Sequence, residues 1–246
     1  MPEPDLYSRL LPGDVILTSH LGFSPIKIGN FCKNGYSKRV WTHAALYLGD
    51  GNIVEAVPKG IVKRSLKEAY PADGTVGLRL LRKKNLSAQQ VQQIVTFCAT
   101  ADGGPYDSRA LIYFPLANLL PPSLSFILSP KYLGRLFNTK GSFFCSELVS
   151  EGFQRGNAYC FEREPFQVMP VDFSNDLLFD EIGTIHVSGK EKQGRVRALL
   201  LEAGYIAVSV LLWIVFLLII AAVVAIAVLS LRRFWVKRPV NNEKPA

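Results

Sequence analysis

The chain has 246 residues, 49% of them hydrophobic, enough for one catalytic-sized domain with an appendage but too few for two ordinary domains and a membrane span. The net charge of +8 divides equally between residues 1–204 and residues 232–246, with no Lys/Arg-rich block in the domain. That distribution argues against nucleic acid as a partner and for an anionic membrane surface. Cys32, Cys98, Cys145 and Cys160 have no CxxC or Cys/His ligand spacing, so reduced thiols are expected, with no metal, disulfide framework or cofactor.

Residues 1–12 lack a basic segment followed by an apolar core, so no secretory signal peptide is expected and the domain is placed in the cytosol. Residues 13–18 read as a first strand after a Pro-Gly turn, and residues 19–40 as loop, in which His20 is a surface histidine. Two β-rich runs follow, 41–48 and 52–57, joined by Gly49-Asp50-Gly51. The length of that loop decides which side chains share a face. A two-residue Asp50-Gly51 turn pairs Leu46 with Glu55 and sends Glu55 to the face opposite His43. A three-residue loop with Gly51 in the left-handed conformation pairs Ala45 with Glu55, which makes His43 and Glu55 diagonal neighbours on one face. The second register is expected, because Gly51 stands where that loop needs its glycine.

Residues 76–81 read as a further strand, and Ser87-Ala88-Gln89-Gln90 as a capping box opening a helix that ends near Ala101, with Cys98 in the core. Residues 110–130 are uncharged and apolar, but Pro115, Pro121, Pro122 and Pro130 break them into short pieces: an insertion that covers a cleft, rests on a membrane surface or packs on the domain. After the turn Lys140-Gly141-Ser142, an amphipathic helix opens at Cys145 and runs to about Arg155. A cysteine in the first turn of a helix meets unpaired N–H groups and a dipole that favour its thiolate, which makes Cys145 a candidate nucleophile. Residues 161–173 read as loop and 182–187 as a short closing strand containing a structural His186.

Residues 190–204 form a basic juxtamembrane segment, and residues 205–231 contain no charge. At about 1.5 Å per residue that stretch exceeds the roughly 30 Å hydrocarbon core, so it is expected to be a transmembrane helix in contact with the lipid bilayer. Trp235 and the basic residues of 232–246 suit an interfacial boundary beyond it. The expected domain is 1–189, single-pass and on the cytosolic side of its membrane.

A thiol nucleophile needs a base, and the base needs a group to hold its ring; Cys145, His43 and Glu55 supply the three. The segments GDVIL (13–17), THAALYLGDGNIVEA (42–56), PYD (105–107), FCSELV (144–149) and MPVDF (169–173) resemble, in order and spacing, the circularly permuted NlpC-type family of papain-like cysteine hydrolases. The resemblance implies an α+β fold with an antiparallel sheet packed on the cysteine-bearing helix. It also implies amidase or peptidase chemistry on a peptide or acyl-amide substrate: Cys145 attacks, His43 serves as base and then acid, and Glu55 orients His43. Phe144 stands where that family commonly has tyrosine, and an anchored, unexported chain departs from relatives that act on cell walls. The lecithin:retinol acyltransferase-like family shares the His-before-Cys order and often a C-terminal membrane helix, though its third residue is typically histidine. It offers lipid acyl hydrolysis or transfer as the alternative, and a catalytically idle membrane-tethered binding module is a third reading.

Overall fold

In the computed structural model, residues 6–19, 41–71, 77–109, 139–174 and 177–185 are described, all within the unit Met1–Gly189. The readings of His20, Cys32, residues 110–130, His186, the juxtamembrane segment, the apolar stretch 205–231 and the tail fall outside these residues. No described helix is long and apolar enough to cross a membrane.

The fold is α+β. Six strands, β1 (Val15–Ser19), β2 (His43–Gly49), β3 (Asn52–Val57), β4 (Gly60–Ser65), β5 (Gly77–Lys83) and β6 (Phe179–Ile185), form one antiparallel sheet in the order β4-β3-β2-β1-β5-β6. The described helices are α1 (Leu66–Ala69), α2 (Ala88–Thr100) and α3 (Cys145–Arg155), with 3-10 turns at Leu6–Arg9, Pro165–Gln167 and Pro170–Ser174.

Both faces of the sheet are covered, which is why β1 and the middle of β2 read as unbroken apolar runs instead of alternating. On one face Val15, Leu17, Ala44, Leu46 and Val54 pack against Ile94 and Cys98 of α2 and Leu148, Val149 and Phe153 of α3. On the other, Ile16, Ala45, Tyr47, Ile53 and Leu80 pack against Tyr7, Leu10, Leu66 and Tyr70. The helix expected from the capping box is present: Ser87 accepts from the Gln90 N–H at 3.2 Å, and the Gln90 side chain accepts from the Ser87 N–H at 3.0 Å. α3 lies close against α2, since a Cβ on Gly152 would stand 2.5 Å from the Cys98 sulfur. Strand β4, with the turn leading to it, lies in a stretch that the sequence reading left unassigned.

The β2–β3 hairpin corrects one expectation and supports another. Its tip is a two-residue turn between Gly49 and Asn52, with φ of 51° at Asp50 and 73° at Gly51, as a type I′ turn requires. The three-residue loop is therefore not what forms. Continued unbroken, this turn would have put Glu55 across the sheet from His43. One residue further, Leu48 is inserted as a β-bulge between the pairs Gly49↔Asn52 and Tyr47↔Ile53. The bulge moves the register by one, to Leu46↔Val54, and so restores the phase in which Ala45 faces Glu55 and His43 shares its side of the sheet.

The same ladder ends early. Its last pair is Leu46↔Val54, although β2 begins at His43 and β3 continues to Val57. Between 43–45 and 55–57 the two strands part, and the backbone groups facing the gap are open to partners other than each other.

Candidate active site

Three elements meet at this gap. β2 delivers His43 at its first residue, β3 delivers Glu55, and α3 delivers Cys145 at its first residue while packing against β2, β3 and α2. The structure thus brings together the three residues singled out in the sequence. The His43 Nε2 lies 2.5 Å from Oε2 of Glu55, and the ring also hydrogen-bonds the Cys145 sulfur, for which Nδ1 is the nitrogen left. His43 is largely buried, Cys145 is 1% exposed and Glu55 is completely buried.

The start of α3 is prepared by its neighbours. Phe144 has extended backbone angles at the N-cap but no side-chain acceptor, and the Glu147 carboxyl group accepts from the Phe144 N–H at 3.3 Å. Ser146 donates to the carbonyl of Val168 at 2.7 Å, which ties the first turn to the loop behind it. Pro105, Tyr106 and Asp107 run parallel to the chain leading into α3, with Tyr106 bridged to Phe143, Phe143 N–H bonded to Pro105 and Asp107 N–H to Phe143. The Tyr106 phenol is near enough to Cys145 that burial first, and the sulfur's negative charge second, push its pKa up.

Electrostatics single out Cys145 among the described thiols. Burial alone would raise its pKa, but the charge and hydrogen bond of His43, with the N–H groups of Ala44 and Ser146, reverse the effect and lower it. The Ala44 N–H is available because the strands part there. Burial pushes the Cys98 and Cys160 thiols up, and nothing reverses it. For His43, burial disfavours the charged ring, yet the Cys145 thiolate and Glu55 outweigh it and raise the pKa to about 10. For Glu55, burial favours the neutral acid, and the bonds and charges of His43, Tyr70 and Arg64 overcome that to hold it at about 2. These shifts all favour an imidazolium between a thiolate and a carboxylate, the arrangement in which a thiol can attack an electrophilic carbon.

Two residues here went unnoticed in the sequence. Arg64 of β4 binds Oε1 of Glu55, and the Tyr70 hydroxyl donates to Oε2. A second hairpin over 57–60 was the signal for Arg64: with Val57 paired to Gly60, Glu55 faces Val62 and Arg64 falls at the diagonal position on the same face. Tyr70 follows α1 and had no periodic signal. Among the described residues no group of His, Cys, Asp and Glu could hold a metal ion.

No protein-family model matches the chain. A curated protein of Escherichia coli (strain K12), named as the probable lipoprotein peptidase YaeF, is 28% identical to it over 198 residues, which take in 75% of this chain and 68% of that protein.

Proposed function

We propose that the chain is a papain-like thiol hydrolase of the permuted type that cleaves an amide bond, in a peptide or an acyl-amide, through an acyl-enzyme on Cys145. The observation that carries this reading is the continuous Cys145–His43–Glu55 relay at a helix start. The peptidase name borne by the similar Escherichia coli protein favours an amide over an ester. The Cys145 thiolate attacks the acyl carbon, and the oxyanion that forms accepts from the Cys145 N–H in the first turn of α3. As the C–N bond breaks, His43 gives its proton to the leaving amine and a thioester remains. Water then attacks the thioester while the neutral His43 takes its proton; the carboxylic acid leaves and the thiolate–imidazolium pair returns. Glu55 holds the ring in the tautomer and direction that both steps need.

The uncharged stretch 205–231 supports anchoring of this domain to a bilayer. That stretch also favours a second substrate class, since an anchored thiol enzyme meets lipid esters at high local concentration. Intact-mass analysis of the chain after incubation with membrane extract distinguishes the two. A peptidyl or aminoacyl adduct on Cys145 supports amide chemistry, and a fatty-acyl adduct supports lipid acyl hydrolysis or transfer. No adduct, together with a Cys145 no more reactive than Cys98 or Cys160, would leave an idle binding module as the better reading.

A further inference from the structure

We infer that Arg64 and Tyr70 form a clamp that positions Glu55 and keeps it a carboxylate for the His43–Cys145 pair. The inference rests on the reading of Cys145 as the nucleophile. Glu55 has no exposed surface, and a buried carboxylate with one imidazole partner would leave most of its lone pairs empty at considerable cost. Here both oxygens are occupied. Arg64 takes Oε1, while Tyr70 and His43 share Oε2, so the carboxylate cannot rotate without giving up a partner. The clamp comes from two independent elements, β4 and the residue that ends α1, and each member is itself held. The Arg64 guanidinium lies over the Tyr70 ring at 5.8 Å, and the Tyr7 hydroxyl donates to the Tyr70 carbonyl at 2.5 Å.

The charges form an alternating row. Cys145 and Glu55 are negative; His43 between them and Arg64 at the far end are positive, so the set is neutral. Without Arg64 the row would carry a net negative charge in a buried site, and protonation of Glu55 would become easier as pH falls. Once Glu55 is neutral, the imidazolium loses the anion that holds its ring toward Cys145, and the thiolate loses a fixed partner. Arg64 is the member with a route to solvent, its side chain being 42% exposed, so replacing it leaves a space that water can fill.

The test uses the full chain with Arg64→Met, Arg64→Lys and Tyr70→Phe. The rate of Cys145 alkylation by limiting iodoacetamide is followed from pH 3 to 9, with the modified site identified by peptide mass. Arg64→Met should move the acid limb of the profile upward by about one pH unit and slow the reaction several-fold on that limb, more than at pH 8. Arg64→Lys should restore most of the shift by restoring the charge, and Tyr70→Phe should give a smaller shift of the same sign. A role confined to stability would lower thermal midpoints without moving the limb. An acid limb identical in all three variants, with Cys145 of the parent chain reactive and dependent on His43, would overturn the clamp alone. A parent Cys145 that reacts no faster than Cys98 and Cys160 would overturn the hydrolase reading and the clamp with it.

Discussion

Burial by itself makes a thiol a poor nucleophile, and Cys145 is as buried as Cys98. The difference lies in what faces the sulfur: an imidazolium and two N–H groups for Cys145, against the Leu148 carbonyl at 3.7 Å for Cys98. Cys145 should therefore be alkylated first at neutral pH, and His43→Ala should slow that reaction at least about tenfold and lower hydrolysis by about 10²–10⁴-fold. Glu55→Gln should slow alkylation less, because it acts through His43. It should also lower the thermal midpoint, since an amide oxygen and an NH₂ cannot satisfy His43, Tyr70 and Arg64 together. Rates measured with peptide-level mass detection, and calorimetry on the same variants, check both statements. The three site residues were legible in the sequence because each chemistry demands a residue type and the strand phase limits where a partner can lie. Arg64 and Tyr70 were not, because an arginine or tyrosine that supports a carboxylate leaves no pattern until the strand pairing is known.

At the scale of elements, the hairpin shows how a correct register can arise from an unexpected turn. Asp-Gly suits a two-residue type I′ turn as well as the end of a three-residue loop, and the bulge at Leu48 that reconciles the turn with the active register leaves no mark in the sequence pattern. Deleting Leu48 should remove the bulge yet keep the pairs Tyr47↔Ile53 and Leu46↔Val54, so that His43 and Glu55 stay on one face. Such a variant should fold, judged by circular dichroism, and retain the fast alkylation of Cys145. A second prediction concerns the α2–α3 contact. Gly152→Ala would drive a methyl into the Cys98 sulfur and should cost about 1–3 kcal/mol in urea unfolding, and Cys98→Ala in the same chain should recover much of it. β4 and α1 escaped the sequence reading because they are short and polar on their outer sides, whereas α2 announced itself through its capping box.

Across the whole molecule, two buried carboxylates tie stability to pH in opposite senses. Glu55 sits at about 2 in the fold against an ordinary 4.5, so the unfolded chain binds the extra proton between those values. Its contribution is complete above about pH 4.5 and is lost as pH falls toward 2. Burial first, and then the charges of Asp107, Glu151 and Cys145, hold Glu147 at about 8 despite its bond from Phe144, so here the folded chain binds the extra proton. Its contribution is complete below about pH 4.5 and is lost as pH rises through 8, at up to about 1.4 kcal/mol per pH unit. Glu147→Gln should flatten the decline in urea stability between pH 5 and 8 without touching the acid side. The early end of the β2–β3 ladder has a consequence of a different kind. In an intact ladder an amide in the middle of a sheet reports only on unfolding, but the Ala44 N–H is held by a sulfur that, under the proposed mechanism, would change its ionisation and be acylated in each cycle. Its nitrogen-15 resonance and its exchange with deuterated solvent should follow the chemical state of Cys145, so one backbone amide becomes an internal reporter of the reaction cycle.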